Sequence, residues 1–309
     1  MNFKKILVYP LGALLVAVVL YKTYGFTMKQ MKRSKKEFSI QRVCPDKEYQ
    51  LQEPLKVCQD DIEQANAILA QPFFFLDRGR QCYAFLSSDG HYVLKFFQQD
   101  RFRVAKDYVA FLPDSFLGKK LRKRKVKLRD NKREKALLSF ELAKKYAAAE
   151  TGVTFLHLKA TKNQHQSVIC LDKRGKLISI PLDNVQFALQ RRAKLLKPTL
   201  ISLMHENKVE EAKARLEQIF DLLVTCAKEG ICDSDGALVR NDNLGFLEDK
   251  AIYIDIGKLF KVKTPITKAG FEYDLRRLRP LDKWLIKNYP VLASHFEVCQ
   301  IKAIDQFHD

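Results

Sequence analysis

One lysine stands alone in an apolar stretch of this 309-residue chain, and its chemistry depends on the direction in which it points. Residues 92–97 read Tyr-Val-Leu-Lys-Phe-Phe, which predicts a β-strand whose alternation places Lys95 opposite Leu94 and Phe96. If Lys95 turns inward, its buried charge requires an anion, either a carboxylate or bound phosphates. The commoner alternative is a solvated lysine on an edge strand.

Two oxygen-bearing side chains flank a predicted hairpin near the end of the chain. Asn243 precedes Asp255 by twelve residues, and between them the runs 244–246 and 251–254 predict two short strands joined by a turn at 248–250. Both side chains should therefore emerge at the open end of this hairpin. Amide and carboxylate oxygens are hard ligands of the kind that Mg²⁺ takes, so the pair could hold one divalent ion.

The elements around these residues alternate between strand-rich and helical stretches. Runs at 73–76, 81–85 and 92–97 predict an antiparallel meander with Gly79 in its first turn, and residues 131–150 predict a helix that carries Glu134 and Glu141 on one side. Further strands are predicted at 154–160, 167–172, 176–182 and 186–190. A long helix is predicted within 205–230, with Asn207 as its N-cap and Gly230 as its stop.

In this order the elements resemble the protein-kinase-like fold. The resemblance implies that Lys95 is the third-strand lysine that grips nucleotide phosphates and that Glu141, or alternatively Glu134, is its ion-pair partner. The triplet Asp-Ile-Gly at 255–257 is similar to the kinase Asp-Phe-Gly motif, so Asp255 and Asn243 would bind Mg²⁺. The expected fold is α+β with two lobes and a reduced helical C-terminal lobe, and the expected ligands are ATP and Mg²⁺.

The chain also departs from the kinase pattern. Gly79 is one glycine where the kinase phosphate loop has three, although the resemblance assigns it to nucleotide binding. Kinases place the catalytic Asp five residues before the Asn, but that position here, before Asn243, is Leu238. Asp233 is the candidate base if an insertion of about five residues follows it, Asp235 is the alternative, and either could be a turn or capping carboxylate. No Ala-Pro-Glu signature follows.

The N-terminus predicts a membrane anchor. Residues 6–21 carry no charge and, with flanking aromatic and snorkelling Lys residues, come within reach of spanning a bilayer. A cleaved signal peptide is the alternative, but no small-residue cleavage site follows and six Lys or Arg residues do. The positive-inside rule then leaves the rest of the chain in the cytoplasm, as a single-pass protein of the cell membrane.

Positive charge is concentrated in two runs. The chain has 55 Lys and Arg against 36 Asp and Glu, a net charge of +19; eight basic residues and no acid lie in 1–36, and eleven basic residues lie in 117–135. We expect the second run to be an exposed loop and helix start able to hold anionic lipid. A nucleic-acid partner is not expected, because such domains usually spread basic charge over one face.

The remaining composition bounds the compartment and the domain plan. Seven Cys without a Cys-x-x-Cys pair fit a reducing compartment, and the six His show no metal-type spacing, so each is expected to be a surface or core residue. The expected segments are an anchor at 1–26, a basic juxtamembrane linker at 27–65, a strand-rich N-lobe at 66–198 and a helical C-lobe at 199–309.

Three functions are compatible with this sequence. The first is an ATP- and Mg²⁺-dependent phosphotransferase tethered to the membrane, whose phosphoryl acceptor the sequence does not identify. The second is a pseudokinase, that is, a kinase-shaped binding or scaffold module in which transfer has been lost. The third, weaker hypothesis is a basic α+β domain held to anionic lipid, with no nucleotide site.

Overall fold

Seven strands form the main sheet of the computed structural model, which describes residues 38–51, 54–55, 57–102, 115–234, 243–264 and 266–308. Residues Ile40–Asp309 make up one unit, and its architecture is α+β. The strands are β1 (Phe73–Arg78), β2 (Cys82–Ser87), β3 (Tyr92–Phe97), β4 (Val153–His157), β5 (Ser167–Leu171), β6 (Leu177–Pro181) and β7 (Phe187–Arg191). They lie in the order β4-β7-β3-β2-β1-β5-β6, and the predicted antiparallel meander of β1, β2 and β3 is confirmed.

Strand β3 lies inside the sheet. Lys95 pairs with Ala84 of β2 on one side and with Ala188 of β7 on the other, both antiparallel. Leu94 and Phe96 are fully buried on the opposite face of the strand. Lys95 is therefore not an edge lysine, and the apolar run around it reflects a strand that is covered on both faces.

The described residues contain eight α-helices. They are α1 (Gln59–Leu69), α2 (Phe116–Tyr146), α3 (Ala148–Thr151), α4 (Leu196–His205), α5 (Val209–Lys228), α6 (Lys268–Leu275), α7 (Arg279–Asn288) and α8 (Pro290–Ile304). Helix α2 packs on the main sheet next to β3, where the rings of Phe140 and Phe97 meet edge to face at 4.7 Å. Helices α5 and α8 pack together through Phe220 and Phe296, whose ring centroids are 5.0 Å apart.

The expectation of an exposed loop and helix start in the basic run 117–135 is confirmed for its helical part, and the expected loop is wrong because the helix begins at Phe116. Helix α2 begins at Phe116, where the Ser115 side chain accepts a hydrogen bond from the Gly118 N–H, and it continues for 31 residues. Lys and Arg are good helix formers, and neither Pro nor Gly follows Gly118 within the run, so the helix propagates through the charged segment. Most side chains of the first half are exposed, whereas Leu137 and Phe140 are buried.

Five short strands follow the main sheet. They are β8 (Lys194–Leu195), β9 (Ile231–Asp233), β10 (Leu244–Leu247), β11 (Lys250–Tyr253) and β12 (Leu259–Lys261). Strands β10 and β11 form the predicted hairpin, with Leu244 opposite Tyr253, and β8 adds to its free edge. Strand β12 pairs antiparallel with β9, so Leu259 lies opposite Asp233.

One predicted cap is wrong and one predicted stop is confirmed on helix α5. The N-cap residue is Lys208, and Asn207 instead adopts a left-handed backbone with φ 57° in the connection from α4. Asn tolerates this conformation better than most residues, which suits it to a sharp turn between helices. Gly230 ends the helix with φ 68°, as its position predicts.

Part of the predicted linker packs on the domain. Val43 is fully buried, and the buried Tyr49 hydroxyl donates a hydrogen bond to Glu141 of α2 at 2.9 Å. Helix α1 also lies against β4. Within the described ranges, no helix is both long enough and apolar enough to cross a bilayer, and the run at 6–21 lies outside those ranges.

Candidate functional site

Lys95 reaches the end of hairpin β10–β11. Its Nζ donates a hydrogen bond to the carbonyl oxygen of Ile254 at 2.7 Å, across 159 residues of sequence. Ile254 directly precedes Asp255, whose carboxylate acts electrostatically on Lys95. Burial lowers the pKa of Lys95, and the nearby Cys82 and Asp255 side chains raise it in part. The structure therefore brings Lys95 and Asp255 together.

Asn243 and Asp255 lie at the open end of the same hairpin. The N–H of Ile254 donates to the Asn243 carbonyl oxygen at 2.8 Å, which extends the β10–β11 ladder by one step. Asn243 is buried, while Asp255 is exposed and its Oδ1 accepts a hydrogen bond from the Gly257 N–H at 3.2 Å. The two hairpin ends thus bring Asn243 and Asp255 next to Ile254, whose carbonyl accepts the Lys95 hydrogen bond.

The first turn of the meander contacts the Asp-Ile-Gly triplet through Gln81. Its Nε2 donates to the Gly257 carbonyl oxygen at 2.8 Å, across 176 residues. The side-chain amide of Gln81 occupies the space in which a Cβ at position 257 would stand, so this close approach requires glycine. Within the described part of the chain, the Gln81 Oε1 atom is buried and accepts no hydrogen bond.

Gly79 lies between β1 and β2 and is held by protein groups. Its N–H donates to the Cys82 carbonyl oxygen at 3.0 Å, and its own carbonyl accepts from the Gln98 side chain at 2.7 Å. The Gln98 Oε1 atom in turn accepts from the Arg78 guanidinium at 2.8 and 2.9 Å. The turn is therefore stabilised by a fully buried glutamine, and the Gly79 amide already has a partner.

The two candidate partners of Lys95 on α2 occupy different environments. Glu141 is buried and accepts a hydrogen bond from the Tyr49 hydroxyl. Burial of Tyr49, and to a smaller extent this hydrogen bond, raises the pKa of Tyr49. Glu134 is exposed. Lys95 donates to Ile254 while Glu141 accepts from Tyr49, so the lysine and Glu141 have different hydrogen-bond partners.

Helix α2 is joined to the Asp-Ile-Gly triplet by Ser139. The buried Ser139 hydroxyl donates to the Ile256 carbonyl oxygen and accepts from the Leu259 N–H at 2.6 Å. One hydroxyl thus satisfies two backbone groups that flank Gly257. This contact fixes the triplet against the helix that follows the Lys95 strand.

Asp233 is buried at the end of β9. Its backbone carbonyl accepts a hydrogen bond from the Arg277 guanidinium, and its Oδ2 lies 3.5 Å from the same nitrogen. Removing either member of such a buried pair is costly, because the remaining charge is left unpaired. This contact ties β9 to the segment Arg276–Leu278. Asp235, the alternative base, lies outside the described residues.

Three residues of this site had no signal in the sequence. Gln81, Ser139 and Arg277 each act through a partner that is 44 to 176 residues away. Their residue types are ordinary in a turn, a helix and a surface segment, so only the folded contact identifies them. Comparison of the chain with models of known families and with curated proteins gave no match.

Proposed function

We propose that this chain is a kinase-like protein that binds ATP together with Mg²⁺. The observation that carries the proposal is the grouping of Lys95, Asn243 and Asp255 at the open end of hairpin β10–β11. In this proposal the Lys95 ammonium neutralises nucleotide phosphates, and the Asn243 and Asp255 oxygens hold the metal ion. The bound Mg²⁺ would supply charge neutralisation on the phosphates.

The donor set fits such a ligand. A triphosphate with Mg²⁺ needs a cation, hard oxygen ligands and donors or acceptors for the remainder of the nucleotide, and it needs little covalent chemistry from the protein. Among the described residues, none donates a hydrogen bond to the buried Gln81 Oε1, so this atom can accept one from a ligand that enters beside Gly257. Lys95 must leave the Ile254 carbonyl to reach phosphate oxygens, and the ammonium gains a stronger, charged partner by doing so.

The order of elements supports a two-lobed kinase-like arrangement. Lys95 lies on the third strand of a meander, α2 follows and packs on that strand, and the Asp-Ile-Gly triplet follows a short hairpin. These are the positions of the lysine, the C helix and the metal-binding Asp in protein kinases. We assign the strand-rich lobe to 66–198 and the reduced helical lobe to 199–309.

Thermal unfolding of the full-length chain with and without Mg-ATP tests nucleotide binding. At a ligand concentration of about 100 times Kd, binding adds about 2.7 kcal/mol to the free energy of unfolding. Lys95→Ala and Asp255→Ala should each abolish the rise in melting temperature. Lys176→Ala and Asp249→Ala alter exposed residues of the same types in turns and should retain it.

Two results would contradict the proposal. One is wild-type protein whose melting temperature does not respond to Mg-ATP at saturating concentration. The other is an equal response in Lys95→Ala and Lys176→Ala, because the ammonium group would then have no part in binding.

A pseudokinase is the second candidate, and two contacts favour it. The carboxylate of Asp233 lies beside Arg277, and the amide of Gly79 is bonded within its own turn. Both groups would have a structural role in a protein that binds nucleotide without transferring phosphate.

Measuring ADP release from ATP separates a phosphotransferase from a pseudokinase. Asp233→Asn should retain the Mg-ATP stabilisation in both cases, and it should lower turnover only if Asp233 is a base. Turnover that is unchanged in Asp233→Asn and lost in Asp235→Asn would assign the role to Asp235.

The proposal also places the protein at the cell membrane. Residues 1–26 would form the single-pass anchor with the domain in the cytoplasm, and the exposed basic half of α2 would face anionic lipid. Full-length protein should then remain with membranes through an alkaline wash. Release by that wash, or a mature N-terminus near residue 26, would exclude the anchor.

A further inference from the structure

A second group of side chains, of the types that bind metal ions, lies on the C-terminal helices and shares no residue with the site around Lys95. Glu217 lies on α5, and His295 and Cys299 lie on α8. One ligand atom from each residue falls within 4.8 Å of the other two. Within this group, His295 Nε2 and Glu217 Oε1 are 3.0 Å apart.

The helices hold these three side chains in place. His295 and Cys299 are four residues apart, so both project from one face of α8. Helix α5 packs against α8 through Phe220 and Phe296, and this contact brings Glu217 to the same face. Cys299 is 5% exposed, whereas the Glu217 side chain is 51% exposed, so an ion from solvent would enter past the carboxylate.

We propose that Glu217, His295 and Cys299 form a binding site for Zn²⁺. A thiolate, an imidazole and a carboxylate are the three ligand types that Zn²⁺ takes in proteins, whereas Mg²⁺ and Ca²⁺ take oxygen ligands. Ligand atoms of a tetrahedral zinc site lie about 3.3 to 3.7 Å apart, as follows from its bond lengths. Small side-chain rotations therefore close the cluster around an ion.

The surrounding charges bear on the same site. Asp221 lies one turn after Glu217 on α5, and both carboxylates act on the Cys299 sulfur, as does the opposing ammonium of Lys302. The two carboxylates favour a cation at this place. Three protein ligands leave a fourth position for water, which is the coordination of an open zinc site.

Cobalt titration of the full-length, metal-stripped chain tests the proposal, because Co²⁺ bound by a thiolate gives a charge-transfer absorption. We expect one Co²⁺ per chain with this absorption, and displacement of the cobalt by Zn²⁺. Cys299→Ser should lose the absorption, and His295→Ala should weaken cobalt binding by about tenfold or more. The matched controls Cys58→Ser and His205→Ala alter an exposed cysteine and an exposed histidine and should leave both readouts unchanged.

The alternative is a surface histidine–carboxylate pair that happens to lie beside a buried cysteine. It predicts no thiolate absorption in the wild-type chain, or an absorption that persists in Cys299→Ser, and either result would overturn the proposal. If Cys299→Ser does not fold, Glu217→Gln tests the site instead. The Glu217 side chain is half exposed, so this substitution leaves no cavity in the core. Cobalt affinity that is unchanged in Glu217→Gln would then remove the site.

Discussion

Replacing Gly257 by alanine should destabilise the chain through a single clash. The added methyl group would overlap the Gln81 side-chain amide, which stands 2.8 Å from it at Nε2 and closer at the other amide atoms. No strained backbone is involved, because a positive φ is not found at Gly257. Gln81 must therefore rotate away and lose its 2.8 Å hydrogen bond to the Gly257 carbonyl.

The magnitude follows from the groups that move. Loss of one neutral hydrogen bond costs about 0.5 to 1.5 kcal/mol, and a non-ideal rotamer of Gln81 adds about 0.5 to 1.5 kcal/mol. The lower entropy of the unfolded chain with alanine returns about 0.4 to 1 kcal/mol. We expect Gly257→Ala to lower the free energy of unfolding by about 1 to 2 kcal/mol, in line with typical destabilising substitutions.

A double-mutant cycle isolates the contact. Gln81→Ala alone removes the hydrogen bond, but once the amide is gone the methyl group added at position 257 has room, so the double variant should be as stable as Gln81→Ala. The assay is urea unfolding of the full-length chain, with Gly270→Ala as control because its added Cβ meets only ordinary contacts. Additive losses in the double variant would refute the reasoning, since they would show that residues 81 and 257 do not touch.

Two further predictions concern pH and backbone conformation. Burial lowers the pKa of His157 to about 4. Below about pH 6.5 this residue therefore takes up a proton in the unfolded chain before it does so in the folded chain. As the pH falls from about 6.5 to about 4, the free energy of unfolding should drop by about 3 kcal/mol. In urea unfolding, this loss should shrink in His157→Gln and persist in the exposed-residue control His91→Ala. Gly230→Ala should destabilise the chain more than Gly175→Ala. Both glycines have a positive φ, but a Cβ added at Gly230 would lie 3.0 Å from the Val262 carbonyl oxygen, whereas a Cβ added at Gly175 would meet no atom of the described residues. Equal losses of stability in the two variants would contradict this contact.

Local sequence patterns are sufficient for the strands and the hairpin. Residues 92–97 form β3 as predicted, because a short apolar run bounded by turn residues is a short-range signal. The hairpin between Asn243 and Asp255 follows for the same reason. Charge is a misleading signal at 117–135, where a solvated basic run suggests a loop although its residues have high helix propensity.

The contacts within the candidate site depend on tertiary packing, and the sequence carries little signal for them. The sequence predicts that Lys95 and the end of the hairpin lie close together. It does not predict that Lys95 donates its hydrogen bond to a backbone carbonyl, that of Ile254. The hydrogen bond from Tyr49 to Glu141 connects α2 to the segment predicted to be a linker. No pattern of residue types along the sequence predicts this contact. The pair His295 and Cys299 gains significance only when α5 brings Glu217 beside it.

The Ser139 hydroxyl rigidly connects the long helix α2 to the backbone of the Asp-Ile-Gly triplet. Because a single oxygen bonds groups on both sides of Gly257, α2 cannot roll about its axis without breaking both bonds at once. At 1.5 Å per residue, the 31 residues of α2 form a rod of about 46 Å. A torque applied to its exposed basic half would therefore be transmitted to the backbone beside Asp255.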